Sequence, residues 1–265
     1  SATRCSMEWS SGCKTRSISC GSGKAACLSM ADSSACSLRS PCLQSGHLKW
    51  SAVCNAKSAA EAFNPALIAA EQVIRESGDH QSQADHWLVW VHQDVFLPAG
   101  WDFQFANALQ SASAIWPTLA VAGVYGVTGF GAQIVRSGHV LDRGKLLKEP
   151  TPLPCLTNSL DELLVAVKVG SGLRMDAAMG FDFYGTDLVL QAQQKGLHAA
   201  VVDAYCEHWS DTPGDWPLPQ TLVQRISNNA HAFEKKWQQA LPLSTSCFDI
   251  GQPGDVAKFL AGPKG

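Results

Sequence analysis

An acidic residue follows directly on the most apolar run of the chain. Residues 87–91 (WLVWV) are continuously apolar, and the run ends in His92-Gln93-Asp94. Such a run is typical of a strand buried on both faces. A carboxylate just after it lies at the carboxyl edge of the sheet, where open α/β folds bind ligands. Asp94 could hold a divalent cation that neutralises a diphosphate, or it could merely cap the next turn.

A second pair of acids stands in the segment 181–188 (FDFYGTDL), at the start of a predicted helix over 184–195. Asp187 falls in the first turn of that helix. There it could act as a general base that reaches the hydroxyl group of an acceptor. The alternative is that Asp187 only stabilises the positive end of the helix dipole.

A histidine follows a short apolar stretch in the segment 203–210 (DAYCEHWS). His208 could supply a nitrogen ligand to the cation that Asp94 holds. A single histidine is more commonly a hydrogen-bonding group, so the alternative stays open. Gly185, Gly214 and the prolines of 211–219 would permit a mobile loop over such a site.

These side chains need a scaffold of alternating strands and helices to bring them together. Apolar runs predict strands, and helical spacing of apolar residues predicts helices. We expect a loop over 142–158 and a capping box of Ser58 and Glu61 at the first helix. The predicted strands are 47–55, 87–91, 119–124, 133–141 and 199–203, and the predicted helices are 58–76, 101–115, 160–169, 184–195 and 219–240. This alternation favours an α/β fold with a mostly parallel sheet covered by helices on both faces.

Composition narrows the class of protein further. The length of 265 residues suits one large domain or a domain with an appendage. The formal net charge of −3 gives no general attraction to nucleic acid. No apolar run approaches the roughly 18 residues of a membrane-spanning helix. Residues 1–17 lack the apolar core of a secretion signal, so we expect a cytoplasmic location.

Cysteines are concentrated near the N-terminus. Seven of the ten precede residue 55, and none of these forms a C-x-x-C pair. Irregular spacing without a secretion signal favours free thiols over disulfides or a zinc site.

The order and spacing of several segments resemble the family-2-like glycosyltransferases of the GT-A fold, a Rossmann-like fold for nucleotide-diphospho-sugars. More narrowly, the chain resembles the glycosyltransferase domain named after a streptomycin-biosynthesis protein. The segments that carry the likeness are 58–70, 88–101, 121–127, 158–168, 181–210 and 228–237. The segment 181–210 is the most specific of them.

The resemblance implies roles for individual residues. His92-Gln93-Asp94 occupies the place of the Asp-x-Asp motif, so Asp94 would contact a manganese or magnesium ion bound to the sugar-nucleotide diphosphate. His208 matches a position that completes the metal shell in some relatives. Asp187 matches the acid that deprotonates the acceptor hydroxyl in inverting relatives. Glu162 falls where the family has an acid near the active site.

Four further residues are candidates for binding the substrate: His92, Tyr184, Gly185 and Trp209. The aromatic ring of Trp209 could stack on a sugar face, although large aromatics are more often part of the core. The implied partners are a nucleotide-diphosphate sugar donor and a glycan, lipid or small-molecule acceptor.

The domain organisation separates a divergent Ser/Cys-rich segment (1–46), a transferase domain (47–241) and a C-terminal tail (242–265). Relatives begin with an apolar strand, and the N-terminal segment shows no convincing version of it beyond 16–20. This departure motivates an alternative, a catalytically inactive carbohydrate- or protein-binding module on a degenerate scaffold. A third alternative is a metal-dependent hydrolase or nucleotidyltransferase that uses the same acids.

Overall fold

The computed structural model describes residues 25–30, 49–53, 55–76, 86–209 and 218–262. The strands in these ranges are β1 (Ala25–Met30), β2 (Lys49–Val53), β3 (Trp87–Val91), β4 (Val95–Phe96), β5 (Leu119–Gly123), β6 (Tyr125–Thr128), β7 (Val135–Asp142), β8 (Lys145–Lys148), β9 (Cys155–Leu156), β10 (Ser159–Leu160), β11 (Leu164–Lys168), β12 (His198–Val201), β13 (Cys206–His208), β14 (Leu243–Ser244) and β15 (Asp249–Ile250). The α-helices are α1 (Ala59–Glu76), α2 (Trp101–Ile115), α3 (Tyr184–Gln194), α4 (Gln220–Lys236) and α5 (Asp255–Leu260).

The larger sheet of the described residues has seven strands in the order β2-β1-β3-β11-β5-β12-β9. All five residues of β3 are buried, as its apolar sequence predicts. Side chains alternate between the two faces of a strand. Val89 and Val91 therefore pack with the α2 residues Trp101 and Phe105. Leu88 and Trp90 face the other way and pack with Phe63 of α1 and Leu188 of α3.

The prediction of a mostly parallel, Rossmann-like GT-A sheet is wrong. In the larger sheet, β11 runs antiparallel to both of its neighbours, β3 and β5. A second, smaller sheet has six strands, in the order β10-β6-β7-β13-β4 with β8 paired to β7. Among the described residues, β7 and β13 are the one parallel pair of this sheet. A third sheet consists of β14 and β15 alone. The fold is therefore mixed α/β with mostly antiparallel pairing.

The error arises at 160–169, which was predicted to be a helix. These residues instead form the end of β10, a short connection and the central strand β11. The buried run LLVAV includes Val165 and Val167, whose β-branched side chains favour a strand. A short, fully apolar run does not distinguish a buried helix from a buried strand by its periodicity.

Two predicted boundaries also differ from the structure. The loop expected over 142–158 contains β8 and β9. The C-terminal segment, expected to be a surface tail, contains β14, β15 and α5. Its residues Leu243, Ile250, Val256 and Leu260 are buried against α4 in a third hydrophobic cluster. Apolar residues widely spaced between Gly and Pro made this packing hard to predict.

The N-terminal segment supplies a strand that the sequence did not indicate. β1 lies between β2 and β3 and runs parallel to both. The candidate strand at 16–20 and the loop at 211–217 lie outside the described residues. So do six of the seven N-terminal cysteines: Cys5, Cys13, Cys20, Cys36, Cys42 and Cys54.

Helix α2 covers the predicted residues, so that prediction is confirmed. Half of the predicted capping box is present. The hydroxyl of Ser58 accepts a hydrogen bond from the backbone N–H of Glu61 at 3.1 Å, whereas the Glu61 carboxylate accepts from the backbone N–H of Lys57 at 2.6 Å. Over the described ranges, every helix is too short or too polar to cross a bilayer.

Candidate metal centre

The backbone brings Asp94 and His208 together at one end of the two sheets. Asp94 lies between β3 and β4, and His208 ends β13, which pairs with β4. The backbone N–H of Trp209 donates to the carbonyl of Asp94 at 2.8 Å. Strand pairing therefore fixes the distance between two residues that are far apart in the sequence.

Three side chains converge at this point. The nitrogen and oxygen atoms that His92, Asp94 and His208 could offer to a cation all lie within 4.8 Å of one another. Nε2 of His208 is 3.3 Å from Oδ1 of Asp94, and Nδ1 of His92 is 3.7 Å from the same oxygen. Each side chain is partly exposed, so the cluster is open to solvent on one side.

Oδ1 of Asp94 is the most unusual atom of the cluster. It is buried, and among the described residues no group makes a hydrogen bond to it. Burial raises the pKa of this carboxyl, but attraction to His208 and His92 lowers it more, so that Asp94 is ionised. A buried, ionised oxygen without a hydrogen bond is costly. The structure therefore presents an acceptor that a cation would satisfy.

A second acid, Asp142, hydrogen-bonds to the ring nitrogen of His208 that faces away from Asp94. Oδ1 of Asp142 lies 2.8 Å from Nδ1 of His208, which leaves Nε2 directed at Asp94. Histidine ligands in metalloproteins are typically fixed in this way. Burial lowers the pKa of His208, but the hydrogen bond to Asp142 and the attraction of the Asp94 carboxylate 3.3 Å away outweigh it and raise the pKa to about 10. Without a metal, His208 therefore carries a proton at neutral pH.

His92 has the opposite electrostatic character. Burial lowers its pKa more than the neighbouring Asp94 raises it, so the imidazole is neutral at pH 7. Its backbone N–H donates to the carbonyl of Leu163 at 3.0 Å, and its ring lies 6.3 Å from the ring of Tyr184. A neutral imidazole held in this way has a free lone pair for a cation.

Further acids lie beside His92. The bond to Leu163 places the neighbouring Glu162 and Asp161 next to the cluster. Burial, with the charges of Asp182 and Asp161, holds the pKa of Glu162 well above its ordinary value. The backbone N–H groups of Gly185 and Phe183 hydrogen-bond to Glu162 and oppose this shift. Glu162 is thus a partly buried acid with an elevated proton affinity.

Tyr184 and Gly185, both candidates for substrate binding, have packing roles. The Tyr184 hydroxyl donates to the carbonyl of Glu162 at 2.6 Å and accepts from Nε1 of Trp90 at 3.0 Å. A Cβ added at Gly185 would stand 2.5 Å from the carbonyl oxygen of Leu160, which is too close for any side chain. Both residues pack α3 against the end of β10 and the connection to β11 that contains Glu162.

Asp187 is not part of the cluster. Its side chain is fully buried. Oδ1 accepts a hydrogen bond from Nε1 of Trp237 at 2.7 Å and forms an ion pair with Nζ of Lys236, also at 2.7 Å. Oδ2 accepts from Nε2 of Gln191 at 2.6 Å. A carboxylate without solvent access and with all of its bonds made cannot reach an acceptor hydroxyl. The structure gives Asp187 the role of joining α3 to the end of α4.

Trp209 lies at the rim of the site. Its ring stacks on Phe96 with centroids 5.0 Å apart and planes at 6°, and Nε1 donates to Glu207 at 2.8 Å. The residue is 48% exposed. The aromatic surface is therefore fixed in place and accessible, as a stacking platform requires.

Sequence reasoning missed Asp142 and the position of Asp182. Asp142 is the last residue of β7, and Asp94 likewise follows the end of β3. An acid at the end of a predicted strand was therefore a signal that could have identified Asp142. Asp182 is anchored by Nη2 of Arg225 at 3.0 Å and by Nδ2 of Asn229 at 2.6 Å. Both partners come from α4, and no local pattern indicates them.

No protein-family model matches the chain. Among curated proteins, the chain is similar to "ATP synthase subunits region ORF 6" of Fuscovulum blasticum, with 29% identity over 133 residues. The match covers 49% of this chain and spans 53% of the length of that relative. Among solved structures, the chain is similar to A197 from STIV, with a TM-score of 0.38, 14% identity, and coverage of 71% of this chain and 86% of that chain. Neither likeness assigns a family or an activity, so function is inferred from the chemistry of the site.

Proposed function

We propose that the chain is a metal-dependent glycosyltransferase that moves a sugar from a nucleotide-diphosphate donor to an acceptor hydroxyl with inversion. The observation that carries the proposal is the buried Oδ1 of Asp94, which accepts no hydrogen bond among the described residues and faces two imidazoles. The resemblance of the segments around Asp94 and His208 to family-2-like glycosyltransferases supports it. The mixed sheet does not weaken it, because function depends on the site rather than on the fold class.

Asp94 and His208 are the residues that would hold a manganese or magnesium ion. Such an ion, when bound, supplies positive charge that stabilises the departing diphosphate. The protein itself has several aspartates near this place, namely Asp94, Asp142, Asp161 and Asp182, and their carboxylates would repel an anionic donor. Binding of the donor should therefore depend strictly on the cation.

Glu162 is the acid that we propose to accept the proton of the acceptor. It is partly exposed, whereas Asp187 is fully buried. Its raised pKa makes it a stronger base than an ordinary carboxylate once it is ionised. The N–H groups of Phe183 and Gly185 hold its carboxylate in position. In the proposed reaction, the acceptor oxygen attacks the anomeric carbon, the bond from that carbon to the diphosphate oxygen breaks, and nucleoside diphosphate leaves while Glu162 takes the hydroxyl proton.

The test is to combine the protein with Mn²⁺ and a panel of nucleotide-diphosphate sugars. We expect a rise in melting temperature that needs both the cation and the nucleotide. Release of nucleoside diphosphate should then require an acceptor. Asp94→Asn should abolish both signals, and His139→Gln, outside the cluster, should abolish neither. If no donor stabilises the protein in the presence of Mn²⁺, the proposal is wrong.

A second candidate is the non-catalytic carbohydrate- or protein-binding module. It is favoured by Asp187, since the acid that the resemblance marks as the base is buried and fully bonded. Glu162→Gln separates the two functions. A transferase would lose turnover and keep donor binding, whereas a binding module would show no turnover in either form. Release of phosphate or pyrophosphate without sugar transfer would indicate a hydrolase or nucleotidyltransferase instead.

A further inference from the structure

We propose that His92 is a third ligand, so that His92, Asp94 and His208 form a two-histidine, one-carboxylate site that prefers a first-row transition-metal ion to Mg²⁺. The inference rests on the proposed metal role of Asp94 and His208 and adds a ligand and a choice of cation. The sequence assigned His92 only to substrate binding.

The first support is the way in which the three side chains face one another. Both imidazoles approach the same oxygen, Oδ1 of Asp94, at 3.3 and 3.7 Å. Two ligands bound at right angles to one ion, each about 2.1 Å from it, lie about 3 Å apart. These two separations are slightly longer than this, and all three ligand atoms lie within 4.8 Å of one another, so the side chains need to move inward to close on an ion. Oδ1 is also the one carboxylate oxygen of Asp94 that is buried without a hydrogen bond.

The second support is that both imidazoles are fixed before any ion arrives. Asp142 holds His208 through Nδ1 at 2.8 Å. The backbone of His92 is tied to Leu163, and its ring packs beside Tyr184, whose hydroxyl is itself bonded at two points. Ligands held in this way lose little freedom on binding and therefore favour tight binding.

The choice of cation follows from the donor atoms. Mg²⁺ prefers oxygen ligands, keeps several of its waters and rarely takes imidazole. Imidazole nitrogen suits Zn²⁺, Co²⁺, Fe²⁺ and related ions, and two imidazoles with one carboxylate are a recurrent set for such metals. Three protein ligands would leave coordination positions for oxygens of a diphosphate or for water.

The experiment titrates metal-free protein with Co²⁺, Zn²⁺, Mn²⁺ and Mg²⁺ without any nucleotide. We expect Co²⁺ and Zn²⁺ to bind at least about 100-fold more tightly than Mg²⁺. The affinity for Mn²⁺ should lie between that for Mg²⁺ and that for Co²⁺. His92→Gln should weaken Co²⁺ binding about 10- to 100-fold and leave Mg²⁺ binding nearly unchanged. Equal affinity for Mg²⁺ and Co²⁺, or full Co²⁺ affinity in His92→Gln, would overturn the inference.

The matched control is His139→Gln. Nδ1 of His139 also lies 3.7 Å from an aspartate oxygen, that of Asp203, but no third ligand group accompanies this pair among the described residues. Its replacement should not change any metal affinity.

A second measurement covers the case in which His92→Gln fails to fold. Electron paramagnetic resonance of the Mn²⁺-loaded wild-type protein should show hyperfine coupling to nitrogens of two imidazoles, and coupling to one alone would overturn the two-histidine site.

These results are independent of sugar transfer. Transition-metal preference without any transferase activity would remove the proposed function and keep the inference. Mg²⁺-dependent transfer with no role for His92 would do the reverse.

Discussion

Asp94 and Asp187 are two aspartates of one chain with opposite surroundings. Oδ1 of Asp94 is buried without a hydrogen bond and faces two imidazoles at a site open to solvent. Asp187 is fully buried, and both of its oxygens accept hydrogen bonds from Trp237 and Gln191, with Lys236 beside them. One carboxylate has an unused bonding capacity, and the other has none.

The difference shows how a carboxylate's neighbours decide its role. A satisfied, desolvated carboxylate stabilises the fold, and removal of one partner leaves the others buried without a bond. An unsatisfied carboxylate weakens the fold slightly and gains from a ligand. Mutation of Asp187 should therefore lower stability and leave metal binding unchanged. Mutation of Asp94 should weaken metal binding and change stability much less.

The largest expected effect is on stability at Asp187. Asp187→Asn removes the negative charge beside Lys236 and should lower the free energy of unfolding by about 2–4 kcal/mol, measured by urea denaturation. Metal affinity of the folded protein should not change. Asp203→Asn, at an exposed acid, is the control and should stay within about 0.5 kcal/mol of the wild type. A stable Asp187→Asn variant that has lost transfer activity would break the comparison and return Asp187 to the reaction.

Asp94→Asn should show the opposite pattern. We expect metal affinity to fall at least about 100-fold, measured by calorimetry, because a charged ligand becomes a neutral amide. The free energy of unfolding without metal should fall by only about 1 kcal/mol, because the substitution removes the attraction between the Asp94 carboxylate and the protonated His208 3.3 Å away but breaks no hydrogen bond at Oδ1. Destabilisation as large as that of Asp187→Asn would show that Asp94 is structural as well.

Asp142→Asn tests whether the hydrogen bond between Asp142 and Nδ1 of His208 contributes to metal binding. The amide can donate to Nδ1 as well as accept from it, so the orientation and tautomer of His208 are no longer fixed. Metal affinity should fall about 10- to 100-fold, less than for Asp94→Asn. Affinity equal to that of the wild type would mean that the 2.8 Å contact does not hold the ligand.

The smallest expected effect is on the pH dependence of metal binding. The metal-free protein holds a proton on His208, whose pKa is raised to about 10, and the ion must displace it. Affinity should therefore rise about tenfold per pH unit between pH 6 and 9. His92, whose pKa is lowered, adds no second proton near pH 7. Calorimetry in buffers of different ionisation enthalpy should count one proton released, and a count of zero would contradict the protonated state of His208.

The sequence predicted part of this arrangement. The apolar run 87–91 located β3 and therefore Asp94 at its end, and the structure brings Asp94 and His208 together as expected. Their role as metal ligands stays a prediction. The direction of β11 was not predictable from a short apolar run that fits a helix or a strand equally well. The environment of Asp187 depends on Trp237 and Lys236, which arrive from α4 through tertiary packing and leave no local signal.

The position of His208 at the end of β13 has a mechanical consequence. His92 and Asp94 follow a strand of the seven-stranded sheet, whereas His208 belongs to the smaller sheet. An ion held by all three would link the two sheets to each other at this point. Loading the ion should then slow amide hydrogen exchange in both sheets beside the cluster, so that metal occupancy and local rigidity rise together.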